Sequence, residues 1–91
     1  KYSRSDLKIT KDFAGLGYAL NTEKELQFIK DFAMTEGVLL DPTYTGKAFR
    51  GMTKLFDENF FDNSKNILFI HTGGVYGLFS KQTQIQINRL K

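Results

Sequence analysis

Apolar positions along the chain fall into two kinds of pattern. Leu26, Ile29, Phe32 and Ala33 recur at helical spacing on one face. Thr22 and Glu25 stand ahead of this stripe as a capping box and Gly37 follows it, so the pattern predicts a helix that opens at Asn21-Thr22 and closes on a left-handed glycine. Tyr44, Ala48, Met52 and Leu55 form a second periodic set, which predicts another helix reaching about Asp57, with Asp41 as its cap and Pro42 in its first turn. The second kind of pattern is the short, uniformly apolar run, at residues 38–40 and again at 67–70. Runs of this kind are expected to be strands of a parallel sheet buried on both faces. Strand, helix and strand make a βαβ unit whose right-handed crossover puts both strand ends on one edge. The expected class is therefore α/β.

The remaining stretches read as connections. Residues 13–20 place Gly15 and Gly17 around Leu16, an irregular segment with Tyr18 in its middle. Residues 57–66 form a surface loop, and Gly73-Gly74 turns into a short helix over 75–79. Residues 1–10 are a short strand or a linker. Beyond Ser80 the sequence alternates with period two but is polar enough to fray, so 81–91 reads as a tail. Gly46 and Gly51 interrupt the second helix at about 1 kcal/mol each relative to Ala, which points to close backbone packing or a ligand.

Composition narrows what such a chain can be. Ninety-one residues make one domain or a piece of one, and 41% hydrophobic content with nine Phe excludes disorder throughout. The net charge of +3 sits mainly at the two ends, as solvated tails, and no basic cluster alternates with aromatics as a nucleic-acid surface would. The chain has no Cys, which excludes a disulfide framework and any Cys-containing zinc site. No apolar run reaches the roughly 18 to 20 residues of a membrane helix, and no signal pattern opens the chain. The expectation is a soluble, cytoplasmic protein with no membrane partner. The absence of an initiator Met adds the expectation of a fragment from a longer chain.

Candidate chemistry gathers where the two apolar runs break into small and hydroxyl-bearing residues, Asp41 to Gly46 and His71 to Gly74. Loop amides and helix starts collect outside the carboxyl ends of parallel strands, so this pair reads as half of a cofactor site. His71 is the single histidine and reads as a hydrogen-bonded structural imidazole; no metal site is expected. Thr72, Gly73 and Gly74 could present amides to an anion. Lys47, one turn into a helix, is expected to point to water rather than to form a Schiff base. Tyr18 reads equally as a core aromatic and as a site residue.

Glu-Gly-Val-Leu-Leu-Asp-Pro-Thr-Tyr-Thr-Gly-Lys-Ala at 36–48, Asn-Ile-Leu-Phe-Ile-His-Thr-Gly-Gly at 66–74, and Gly17-Tyr18 together resemble the C-terminal end of the pyridoxal-phosphate enzymes comprising 1-aminocyclopropane-1-carboxylate deaminase and D-cysteine desulfhydrase. The resemblance implies that residues 1–91 are the C-terminal portion of the larger, cofactor-binding domain of a tryptophan-synthase-β-like fold (fold type II) with a parallel sheet. It implies pyridoxal 5'-phosphate as cofactor, a small amino acid as substrate, and the rest of a parent chain, itself a homo-oligomer, as partner. The family's Schiff-base lysine and its phosphate-binding loop have no counterpart in these residues, which implies a segment inactive alone.

Tyr18 and Tyr44 match the family's two active-site tyrosines, Tyr44 beside the cofactor ring and Tyr18 near the substrate. Thr45 matches the position facing the pyridine nitrogen, and Thr72, Gly73 and Gly74 belong to the same cofactor edge. The deaminase branch carries Glu and Leu where this chain has Thr45 and Thr72. A carboxylate beside the ring nitrogen favours the pyridinium form, a stronger electron sink, whereas a hydroxyl tolerates neutral pyridine, sufficient for β-elimination of thiolate. The implied reaction is that of D-cysteine desulfhydrase, giving pyruvate, sulfide and ammonia, with the deaminase as runner-up. The alternative of another class is a stand-alone α/β module that binds an anion or nucleotide at 72–74 without chemistry.

Overall fold

Helix α1 spans Glu23–Glu36 because its first turn is self-sufficient in hydrogen bonds. The Thr22 hydroxyl accepts the Glu25 amide at 3.2 Å, and the Glu25 carboxylate accepts the Thr22 amide at 2.9 Å. Two donors that a helix start leaves orphaned are thereby paired, as the capping-box spacing predicts. Gly37 closes the helix at φ +68°, its amide on the Ala33 carbonyl. Any residue with a Cβ would adopt that conformation at a cost of roughly 1–2 kcal/mol.

Helix α2 spans Thr45–Asp57, starting later than Asp41-Pro42 suggests. The Asp41 side chain does cap it, but from across a turn, and the residues between are not yet helical. The two helices are in tight contact at Gly46, where a Cβ would stand 2.6 Å from the Asp41 carbonyl oxygen and 2.7 Å from Cδ1 of Ile29. This is the packing demand that the helix-interior glycine signals. Leu26, Ile29 and Leu40 form the buried centre, with Phe28, Phe32, Phe49 and Leu78 packed against it. The Phe32 and Phe49 rings lie 4.5 Å apart, and Phe69 stacks edge-on against Phe49 at 4.8 Å. One side chain of the second apolar run is thus tied to the core.

The parallel sheet is not there. The computed structural model describes residues 1–81, and among the described residues it has helices and turns but no strand. The expected βαβ unit, and with it the tryptophan-synthase-β-like domain with a parallel sheet, is therefore corrected to a two-helix arrangement with extended connections. Residues 38–40 and 67–70 are near one another, since the His71 ring reaches the Leu39 carbonyl. They form no ladder because three- and four-residue parallel pairs offer few slanted hydrogen bonds and rely on covered faces for stability. Those faces are uncovered here: Leu39 is 52% exposed and Leu68 86%. Uniform apolarity marks both runs as suited to burial, but this chain fully buries only Leu40 of them and leaves Leu39, Leu68 and Ile70 exposed.

Two short 3₁₀ elements complete the described residues, Arg4–Asp6 and Val75–Lys81. The second occupies the place of the expected helix over 75–79 in the tighter geometry. The fraying expected for 81–91 falls, apart from Lys81, outside the described residues. No helix among the described residues is long and apolar enough to cross a membrane.

Candidate functional site

Asp41 organises the region where sequence reasoning places half of a cofactor site. It is 1% exposed, and its carboxylate accepts four hydrogen bonds: from the amides of Thr43 (2.8 Å), Tyr44 (2.7 Å) and Thr45 (2.7 Å), and from the Thr45 hydroxyl (2.6 Å). The same hydroxyl accepts the Asp41 amide at 2.8 Å. Burial alone would raise the Asp41 pKa, but the bonds from Thr45, Tyr44 and Thr43 outweigh it and hold the carboxyl below its ordinary range. The negative charge also faces the N-terminus of α2, where helix amides favour an anion. The Asp-Pro-x-x-Thr order of 41–45 carries this arrangement in the sequence, although Asp41 reads there only as a helix start.

Thr45 is consequently enclosed. It is 2% exposed, with its hydroxyl hydrogen directed to Asp41. The 71–74 turn does come alongside: a Cβ on Gly74 would lie 3.0 Å from the Asp41 carboxyl carbon and 3.3 Å from Oδ1. Thr45 and Gly74 are therefore grouped around one carboxylate, while a Cβ on Gly73 would meet nothing within 4 Å and Thr72 stands exposed. His71 fixes the turn. Its Nδ1 accepts the Gly73 amide at 3.0 Å, so Nε2 carries the hydrogen and donates to the Leu39 carbonyl at 2.7 Å. The reading of His71 as a structural imidazole agrees with these bonds.

Tyr18 and Tyr44 meet. Their ring centroids lie 6.1 Å apart with planes at 67°, an edge-on pair, and both rings are largely exposed. The neighbouring Tyr18 phenol, through its hydroxyl and through the charge repulsion between two phenolates, raises the Tyr44 pKa above the ordinary phenol range. The pair stands at the head of a cleft of about 790 Å³ that runs along α2, with Phe13, Met52 and Leu55 among its walls. Phe13 covers Gly51, where a Cβ would come within 2.6 Å of the ring.

Lys47 does not point to water. It is 8% exposed, and its ammonium donates to the carbonyls of Ala14 (2.9 Å) and Gly17 (2.7 Å). Sequence reasoning misses this because nothing in helical spacing tells which side of α2 the loop before α1 will cover. Asn21 is a second missed tie: its Nδ2 donates to the Pro42 carbonyl at 2.6 Å, while its Oδ1 is buried without a partner. Among the described residues no cluster of His, Cys, Asp and Glu could hold a metal ion.

Fold and site thus define a helix-capped loop cluster, with two phenols over a largely apolar cleft, and comparison with known proteins places it more narrowly. Over 78 residues the chain is 42% identical to a protein of Thermotoga maritima whose name assigns it as a 1-aminocyclopropane-1-carboxylate deaminase; the match covers 86% of this chain and 24% of that one. It is 48% identical over 73 residues to the mitochondrial bifunctional D-cysteine desulfhydrase/1-aminocyclopropane-1-carboxylate deaminase of Arabidopsis thaliana, covering 78% of this chain and 18% of that one. A D-cysteine desulfhydrase of Salmonella newport is 40% identical over 76 residues, covering 84% and 23%. No protein-family model matches. By sequence the chain is a relative of the 1-aminocyclopropane-1-carboxylate deaminase and D-cysteine desulfhydrase family. It spans between 18% and 24% of the length of these relatives, as a fragment would.

Proposed function

We propose that this chain is the C-terminal part of a pyridoxal-phosphate-dependent enzyme acting on small amino acids. In that enzyme Tyr18 and Tyr44 act at the substrate, and Thr45, Thr72, Gly73, Gly74 and Tyr44 border the cofactor. The observation that carries the reading is the tyrosine pair, two phenols from distant segments brought together at one cleft. The 71–74 turn supports the cofactor edge: Gly74 keeps a side chain away from Asp41, and Thr72 offers an exposed hydroxyl. Bound pyridoxal phosphate would supply the electron sink for the pair left behind when the substrate Cα–H bond breaks. Tyr44 would hold a proton for the leaving group, Tyr18 would pack against the Tyr44 ring and orient it, and Asp41 would keep Thr45 and the start of α2 in place.

Within the family we assign β-elimination, D-cysteine plus water giving pyruvate, sulfide and ammonia. The lack of a carboxylate at 45 and 72 favours it over cyclopropane ring opening to 2-oxobutanoate and ammonia, for which a carboxylate at the ring nitrogen is better suited. The relatives carry both names, which keeps the deaminase as the second reading. On this account the lysine that holds the coenzyme belongs to the rest of a parent chain, and the parent forms a homo-oligomer. The test gives each substrate to the full-length protein and identifies the products. Pyruvate with sulfide from D-cysteine, at a kcat/KM well above that for the cyclopropane, supports the assignment. The reverse order selects the deaminase, and no product from either removes both. The 91-residue chain alone is expected to leave added pyridoxal phosphate untrapped by borohydride. A trapped adduct on Lys47 would contradict the division of roles.

A further inference from the structure

We propose that Lys47 is the positioning residue for the tyrosine pair: its buried ammonium grips the Ala14 and Gly17 carbonyls and so holds the loop that carries Tyr18 over the start of α2. The proposal rests on the reading that the two phenols work together at the substrate. The loop needs such a grip because it has no regular structure of its own. Gly17 at φ +128° and Ala19 at φ +57° turn its peptide planes out of any repeating ladder, leaving carbonyls to be satisfied from elsewhere. Lys47 supplies two of these partners, at 2.9 and 2.7 Å, and Lys81 supplies a third on the Ala19 carbonyl at 2.9 Å. Within the loop the other tie is the Leu20 amide on the Gly17 carbonyl, at 3.1 Å, which shares an acceptor with Lys47.

Geometry turns this grip into register. Lys47 lies three residues beyond Tyr44, the residue that precedes α2, and both line the cleft that Gly17 and Tyr18 also line. Tyr18 directly follows one of the residues whose carbonyl the ammonium binds. Holding Gly17 at the Lys47 ammonium therefore delivers Tyr18 to Tyr44, where the rings are found 6.1 Å apart. A four-carbon stem with a compact ammonium suits the task, since it can cross from a helix to a loop and divide its hydrogens between two carbonyls. An apolar side chain of similar length would fill the space and leave both carbonyls without a donor.

The test uses the full 91-residue chain with tyrosines labelled at ¹³Cζ, the signals assigned by single Tyr→Phe variants. The unmodified chain is expected to show a nuclear Overhauser effect between the Tyr18 and Tyr44 rings and a Tyr44 ionisation above the ordinary value of 10.0. Lys47→Met should abolish the effect between the rings and bring the Tyr44 ionisation down towards that value, while the amide shifts of Gly37 and Gly46 stay in place. Lys47→Arg should restore both. An unchanged ring contact and an unchanged Tyr44 titration in a folded Lys47→Met chain would overturn the proposal.

Should Lys47→Met not fold, the unmodified chain still decides. A slowly exchanging Lys47 ammonium signal with contacts to Gly17 and Tyr18 supports the clamp, and an ammonium exchanging as fast as those of surface lysines refutes it. Neither reading uses turnover or coenzyme. Failure here therefore leaves the catalytic assignment of the tyrosines standing, and failure of that assignment would appear separately, as full turnover in a Tyr44→Phe enzyme.

Discussion

Replacing Asp41 by Ala removes the acceptor of four hydrogen bonds at once. The amides of Thr43 and Tyr44 sit where water can reach them, so their loss resembles that of an ordinary cap, about 1 kcal/mol. The Thr45 amide and hydroxyl are buried, and each buried donor left without a partner costs about 1–3 kcal/mol. Allowing the Thr45 hydroxyl to rotate to another acceptor, the sum is roughly 3–5 kcal/mol. Domains of this size hold about 0.05–0.15 kcal/mol per residue. With a core cluster of Leu26, Ile29 and Leu40 among the described residues, the lower part of that range applies, and the variant should lose most of its stability. The assay is thermal or urea unfolding followed by circular dichroism at the helix band. Since 1 kcal/mol moves the melting point of a domain this small by about 4–8 °C, a fall of about 15 °C or more is expected. A loss below about 1 kcal/mol would refute the view that Asp41 organises the start of α2.

Other perturbations follow from the same contacts. Because the Asp41 pKa is lowered in the folded chain, the unfolded chain takes up the proton first as pH falls. Its contribution is thus complete above the ordinary value of 3.8 and is lost as pH drops below it through the folded value, and an Asp41→Asn chain should show a shallower acid limb in urea midpoints between about pH 5 and 2. Gly46→Ala should destabilise by about 1–3 kcal/mol despite the better helix propensity of Ala, because the new Cβ meets the Asp41 carbonyl. Gly51→Ala meets only the Phe13 ring, so the ring should move; a smaller loss of stability with a displaced Phe13 signal is expected, and equal losses at both glycines would contradict the packing described.

What the sequence makes legible depends on how local the cause is. The cap and stop of α1 are decided within a few residues, by Thr22, Glu25 and Gly37, and both appear where expected. The tyrosine pairing is legible only through family resemblance, since nothing local brings residue 18 to residue 44. Residues 38–40 and 67–70 are misread because strand formation is decided by what covers a segment, which apolar composition states only as a need. Lys47 is misread for a related reason: whether a helix lysine meets water or carbonyls depends on a loop some thirty residues earlier in the chain. Asp41 lies between these cases, visible as a cap but not as the carboxylate that gathers Thr45 and Gly74.

The account stands most directly on the Tyr44 hydroxyl. In the full-length protein, with D-cysteine as substrate and pyruvate as the measured product, Tyr44→Phe removes that hydroxyl and leaves the ring to pack against Tyr18. The account predicts a fall in kcat on the order of 10² or more, the scale of a positioned proton donor, with unfolding midpoints little changed. Turnover within about twofold of the unmodified enzyme would contradict it.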